Sequence, residues 1–497
     1  MKYSLDSIPL HCSFLSLGED FLSEVTPTPF ESESRLVHFN NNAAALLDLQ
    51  PGIEQQQQFI DIFSGNSPLQ QAKPFSMLYA GHQFGHLNPQ LGDGRAIIIA
   101  EVANAKNEPW ELQLKGSGLT PYSRDGDGRA VLRSTIREYL CSEAMHGLGI
   151  PTTRALCMTA SDDEVYREDI ETGAILTRIA PSHVRFGSFE IFYYRQQYQH
   201  IKKLADHIIT QHYTELANDA NPYLALLREV IQRTAHLIAQ WQGVGFSHGV
   251  MNTDNMSILG LTLDYGPYGF LDNYQPGYIC NHSDYQGRYA FDQQPHIGLF
   301  NLSCLAQALL PLIDKNPEQA AQLAKKELDQ YQTLFIDHFA KIMRGKLGLE
   351  KEFNDDQQLV VVLFTLMKDD NVDYTILFRR LCEFDSEVLE NNSAIRDLFM
   401  HRDRFDQWAQ KYQQRLKKEA LSDQQRCLRM KATNPKYILR NYMAEVAIEK
   451  AEDENDYTEI DRLFQLLQNP FSEQPEMEYY ADFPPQWAEE ISVSCSS

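Results

Sequence analysis

Two kinds of periodicity divide this chain, and they occupy different parts of it. Strand-like segments lie between about residues 76 and 180: "RAIIIAEV", "PWELQLKGSG" and "ILTRIA". The first two, joined by the polar "ANAKNE", read as a hairpin. One helical segment interrupts them, "GRAVLRSTIREYLCSEAMHGLG". In it Leu132, Ile136, Leu140 and Ala144 recur every four residues as a single apolar stripe, and Gly147, Gly149 and Pro151 mark its end. From about residue 188 the pattern is helical, through "HIKKLADHIITQHY", "YLALLREVIQRTAHLIAQWQGVG" and the strongly apolar "IGLFNLSCLAQALLPLI". Strands first and helices afterwards specify an α+β chain of two lobes with a cleft between them. The expected organisation is an irregular N-terminal extension over 1–75, a strand-rich lobe over 76–182 and a helical lobe over 183–400. A C-terminal helical segment with a Pro-rich, extended tail follows over 401–497.

Charge narrows the partners. The formal net charge of -24 argues against non-specific binding to nucleic acid or an anionic membrane, while leaving room for a local basic pocket. No apolar run approaches the roughly 20 residues of a membrane helix. The opening "MKYSLDSIPLHCSFLSLGEDF" has neither signal-peptide nor transit-peptide character, so the expectation is a cytoplasmic, bacterial protein. None of the eight cysteines forms a C-x-x-C pair, so they read as small buried apolar residues. Cys495 stands apart in the terminal "SVSCSS", and Cys280 lies in a Gly/Asn/Asp-rich segment.

The stretch "FSHGVMNTDNMSILGLTLDYGPYGFLD", residues 246–272, carries the chemistry. His248, Asn255 seven positions on, and Asp264-Tyr265-Gly266 follow the order of a protein-kinase catalytic loop and metal-binding turn. Where a kinase has its catalytic Asp this chain has Val250, which accepts no proton; Asp254 stands beside Asn255 instead. Asn255 and Asp264 offer oxygen ligands suited to Mg²⁺ or Mn²⁺, and His248 is placed to brace the loop.

Upstream, each further part of a nucleotide site has a candidate. Gly92 and Gly94 flank Asp93 before a strand with Arg95 beside them; the alternative is a plain hairpin turn. Lys115 ends a strand, where it either meets phosphate or is merely solvated. Glu138 and Glu143 on the following helix are both possible partners for it, and helical geometry does not choose. Asp125, Gly126, Asp127, Gly128 and Arg129 form either a cap and turn or a second nucleotide loop. They lack the remaining ligands of a calcium loop. Arg178 and Arg185 suit bidentate phosphate binding, against the alternative of surface ion pairs. His82 and His86 in "GHQFGH" are four apart, but with no third ligand evident nearby they read as packing or capping residues rather than a zinc site.

The blocks "YAGHQFGHLNPQLGDGRAI", "ELQLKGSGLTPYSRDGDGRAVLRSTIREYLCSEAMHGLGIPTTRAL", "SHGVMNTDNMSILGLTLDYGPYGFLD", "NPKYILRNYMAEVAI" and "PPQWAEEISVSCSS" together resemble the selenoprotein O family, nearly end to end. The resemblance implies a protein-kinase-like two-lobe fold, long taken for that of a pseudokinase. It implies transfer of AMP from ATP to Ser, Thr or Tyr hydroxyls of proteins, with the nucleotide flipped relative to a kinase. It also implies roles: Lys115 on phosphate and paired with Glu138; Gly92, Gly94, Arg95, Asp127 and Gly128 on the nucleotide. Arg178 and Arg185 hold the terminal phosphates, Asp254 is the general base, and Asn255 and Asp264 hold the metal. UMP transfer from UTP, a conventional γ-phosphate kinase and a non-catalytic nucleotide-binding scaffold are the alternatives. Some eukaryotic relatives end in selenocysteine-Ser-Ser where this chain has Cys495. A regulatory Cys280–Cys495 disulfide is therefore a hypothesis, checked by mass spectrometry of the oxidised protein.

Overall fold

A computed structural model describes residues 2–493 of the chain. In chain order its strands are β1 (Leu22–Glu24), β2 (Arg35–Phe39), β3 (Phe75–Met77), β4 (Gly81–Gln83), β5 (His86–Asn88) and β6 (Ala96–Ala103). They continue with β7 (Pro109–Lys115), β8 (Ala130–Val131), β9 (Arg154–Tyr166), β10 (Ile170–Ala180), β11 (Phe246–Ser247) and β12 (Gly269–Phe270). The main sheet runs β1-β3-β6-β7-β10-β9-β2, with β8 paired to β10. The hairpin β4–β5 and the pair β11–β12 stand apart from it.

The helices before the catalytic loop are α1 (Asn41–Leu46), α2 (Gln57–Phe63), α3 (Leu132–Gly147), α4 (Gly187–Tyr194), α5 (Tyr198–His212) and α6 (Pro222–Val244); α7 (Gln294–Ile313) follows it. The anticipated hairpin is β6–β7, in register from Ala96↔Lys115 to Ala103↔Pro109. Every residue of β6 is buried, because both faces of the sheet are covered. Ile98 joins the core on the α3 side, while Ile97 and Ile99 pack with Leu112 and Leu114 against the N-terminal residues. The stripe Leu132, Ile136, Leu140 and Ala144 is wholly buried on α3.

Residues 1–75 are not an irregular extension. They supply β1 and β2, which pair with β3 and β9, and the small helices α1 and α2. Phe59, Ile62 and Phe63 of α2 are buried in the core on the outer face of the sheet. Short strands next to polar residues give weak periodicity, so the burial that secures them is visible only in three dimensions. The 13-residue β9 was also unanticipated. Its first eight residues are all buried and most of its last five are not, so it follows neither strand pattern throughout.

Beyond the sheet the chain is helical. α6 opens with Asn221, whose side chain accepts from Leu224 N, and closes at Gly245 in the left-handed region (φ 73). It delivers the chain directly to the catalytic loop. One stretch among the described residues, Phe291–Ile313, is long and apolar enough to cross a membrane by length and composition, which corrects the expectation that no run approached that length. Here it is a core helix. Leu302, Leu305 and Leu309 are buried, and its polar residues hold the loop: Gln294 donates to Phe246 O (2.9 Å) and accepts from His248 N (2.9 Å), and Asn301 donates to Met251 O (3.0 Å). The later helices build a second core around Trp408, Tyr412 and Phe378. The last two, Asn441–Asp453 and Thr458–Gln468, return to pack on α3.

Candidate functional site

Where the sheet meets the helices there is a cavity of about 770 Å³. Gly92, Gly94, Arg95, Lys115, Asp127, Gly128, Arg178, Arg185, Asp254, Asn255 and Asp264 all line it, although in the chain they are spread from just before β6 to the segment between β11 and β12. Glu138 stands directly behind, 2% exposed.

β7 ends by aiming Lys115 at this cavity, and its ammonium pairs with Glu138 of α3. Burial pulls the Lys115 pKa down, and Glu138 partly restores it. Glu143 is taken by Arg154, with two contacts of 2.8 and 2.7 Å, so the structure separates the two acids that helix geometry left equivalent. Neither is an exposed helix acid. Glu138 also accepts from Arg178 Nη1 at 3.0 Å.

Arg178 and Arg185 are both 2% exposed, so they are not surface ion pairs. Both grip Asp264, Arg185 at 2.5 Å. Burial alone would raise the Asp264 pKa, but the two guanidinium groups hold it well below the usual carboxylate range. Asp264 sits in the left-handed region (φ 60), which short polar residues tolerate. Asp254 is different. Burial pushes its pKa up to about 7, against the lowering effect of a hydrogen bond from Gln83 and the field of Arg185. Its Oδ1 is buried without a hydrogen-bond partner. It is therefore a carboxylate able to change protonation near neutral pH, in a cavity wall, with its unpaired oxygen packed against Gly81. Val250 lines the same wall with no acceptor to offer.

Asn255 donates its amide to Val250 O (3.0 Å), which turns its carbonyl oxygen away from the loop backbone. Asn255 and Asp264 both line the cavity and offer oxygen donors of the kind a small divalent cation takes, although in this structure both Asp264 oxygens are held by Arg178 and Arg185. His248 donates Nε2–H to Leu263 O (2.9 Å) and packs beside Trp241, bracing the loop as its position suggested.

The glycine loop has a packing reason. A Cβ on Gly92 would lie 2.5 Å from the Tyr122 ring, and one on Gly94 would lie 2.9 Å from Tyr122 O. The two glycines thus seat the 120s loop against β6. Asp127 pairs with Arg167 (2.7 Å) and accepts from Arg129 N, so in this structure it shapes the loop. Arg95 is exposed to the cavity and makes no ion pair among the described residues.

Several residues at the site escaped the sequence reading. Asp93 is 3% exposed and accepts from Met77 N, Tyr79 Oη and Gln113 Nε2, each at 3.2 Å. Arg167 lines the cavity from the β9–β10 turn. Gln83 lies inside "GHQFGH", between the two histidines, and lines the cavity. His82 does have ligand-type neighbours, Glu190 and Cys304, all within 4.8 Å; they were invisible because they lie over 100 residues away. His82 Nδ1 is already hydrogen-bonded to Glu190 at 2.6 Å, and His86 is exposed. Cys280 is buried behind the catalytic loop, its thiol pushed up to about 12 by burial. Its suggested partner Cys495 lies outside the described residues. The last of these, Val493, accepts from His282 N at 2.8 Å.

A sequence profile described as "Protein adenylyltransferase SelO" matches residues 6–468. The chain belongs to that family. It is 54% identical over 495 residues to the "Protein nucleotidyltransferase YdiU" of Thioalkalivibrio sulfidiphilus, covering all of both chains. The protein of the same name from Myxococcus xanthus is 52% identical, over 99% of this chain and 100% of its own. That of Aliivibrio fischeri MJ11 is 49% identical, over 99% of each.

Proposed function

We propose that this chain transfers AMP from ATP to side-chain hydroxyls of proteins and releases pyrophosphate. The observation that carries the reading is the pairing of a buried, proton-accepting Asp254 with two buried arginines across one cavity, while Val250 fills the kinase base position. Membership of a protein adenylyltransferase family, matched over residues 6–468, supports it.

The residues divide the work as follows. Asp254 takes the proton from the incoming hydroxyl, whose oxygen forms a new bond to the α-phosphorus. The bond from that phosphorus to the β-phosphate bridging oxygen breaks, and pyrophosphate leaves with the electron pair. Negative charge grows on the leaving group, and fixed cations there lower the barrier. Arg178 and Arg185 supply that charge, with Lys115 held in place by Glu138. Asn255 and Asp264 would hold Mg²⁺ or Mn²⁺, which screens phosphate charge when bound. Gly92, Gly94, Arg95, Asp127 and Gly128 border the nucleotide. This arrangement corresponds to a kinase-like two-lobe fold with the nucleotide flipped, so that the α-phosphate faces the base. The same reading takes Ser, Thr or Tyr as acceptors, a cytoplasmic bacterial setting, and no nucleic acid or membrane as partner; the charge of -24 supports the last.

The test is paired labelling of a cell extract, with ATP labelled at the α- or the γ-phosphate. Label on protein from the α position alone supports the proposal. Label from γ alone makes the chain a kinase and overturns the role of Asp254. Label from α-labelled UTP in place of ATP would reassign the donor.

A further inference from the structure

Proton acceptors must be aimed as well as ionised, and Asp254 sits in a single 3₁₀ turn, Thr253–Asn255, too short to hold it by itself. What aims it is the hairpin β4–β5. A two-stranded hairpin on its own is marginal in water, so it must be held by something else. It is fixed to the catalytic loop at three successive residues and again at its turn. Gly81 lies against the carboxylate itself; a Cβ there would be 2.3 Å from Asp254 Oδ1. His82 N donates to Thr253 Oγ1 at 2.7 Å, and its ring is tied to buried Glu190 of α4. Gln83 Nε2 donates to Asp254 Oδ2 at 3.1 Å. At the turn, Phe84 N donates to Tyr289 Oη (2.8 Å), which donates on to Asn252 Oδ1 (2.6 Å).

We propose that Gln83 is a positioning residue for the transfer reaction. Its amide holds Oδ2 of Asp254 while Gly81 lies against Oδ1, so the two residues together set the orientation of the carboxylate in the cavity wall. The hairpin clamps both flanks of Gln83, so the amide cannot follow the carboxylate if it rotates. A near-attack arrangement is lost with displacements of about 1 Å, so the hydrogen bond acts on kcat rather than on nucleotide binding. The kinetic part of this inference rests on the AMP-transfer reading; the geometric part does not.

Gln83→Met keeps the side chain's length and removes the N–H donor. The expected result is a fall in kcat of about 10- to 100-fold, with the nucleotide Kd and the unfolding midpoint unchanged. In an Asp254→Asn background the same substitution should cause no further loss, since the group it aims is gone. A wild-type kcat overturns the proposal. So does a kcat loss accompanied by an equal loss of nucleotide affinity or stability, and so does a fully additive double variant. A crystal structure of Gln83→Met decides the geometry without any activity: Asp254 should turn from its present rotamer, and an unmoved carboxylate overturns the idea. Absence of α-label transfer by the wild-type protein would sink the functional reading alone, leaving the crystal structure to judge Gln83. If Gln83→Met does not fold, Gln83→Ser serves in its place.

Discussion

At the scale of single residues, Asp254 and Asp264 show how environment assigns roles to identical side chains. Both are carboxylates in one cavity. Asp264 is locked in its charged form by two arginines, whereas the Asp254 carboxylate has only a neutral amide as hydrogen-bond partner, Arg185 being spent on its backbone carbonyl. Removing Asp254 should therefore stop chemistry without emptying the site: Asp254→Ala is expected to lose AMP transfer by at least ~100-fold while binding nucleotide almost as wild type. Simultaneous loss of binding, by calorimetry, would make the residue structural. The raised pKa also has a sign for stability. A carboxyl shifted from 3.8 up to about 7 binds its proton more tightly in the folded state. It costs stability progressively as pH rises from about 4 to about 7, and fully above that. Asp254→Asn should accordingly raise the unfolding midpoint at pH 8 and leave it nearly unchanged at pH 4; an equal effect at both would contradict the shift. Much of this was legible in the sequence, because Asp254, Asn255 and Asp264 lie close together in a recognisable order. Gln83 and Glu190 were not, since their meaning depends on contacts that span 171 and 108 residues.

Among elements, α3 is the instructive one. Its apolar stripe could be read from a four-residue repeat, yet the same wheel could not say which acid meets Lys115. Tertiary contacts decide: Glu138 points to β7 and β10, and Glu143 to Arg154 at the start of β9. The two should respond differently to loss of charge. Glu143→Gln leaves a buried guanidinium without its counter-charge, an effect of about 3–5 kcal/mol on stability in other proteins, and urea unfolding should show it. Glu138→Gln frees Lys115, which is open to the cavity, so kcat/KM for ATP should fall about 10-fold or more with a smaller change in stability. Reversal of these two patterns would exchange the acids' roles. β9 lay beyond sequence reading for a related reason. It crosses from a buried to an exposed environment along its own length, so no single pattern describes it.

For the whole molecule the boundary that periodicity suggested near residue 75 is not a boundary in packing. β2 forms one edge of the main sheet and β1 the other, so the first strands of the chain bracket the sheet that carries Lys115 and Arg178. Phe14, Phe21, Leu22, Phe30, Val37, Leu47, Phe59, Ile62 and Phe63 are all buried. Burying one large apolar side chain is worth about 1.5–3 kcal/mol, and a whole domain has a net stability of only about 5–15 kcal/mol. Deleting residues 1–75 removes none of the cavity-lining groups, yet it strips more burial than the remaining sheet can lose. The shortened chain should therefore fail to give a cooperative unfolding transition by circular dichroism and should not bind ATP. A truncated protein that unfolded cooperatively and kept wild-type nucleotide affinity would restore the segment to the status of an appendage. It would also mean that β6, β7, β10 and β9 hold the site without their edges.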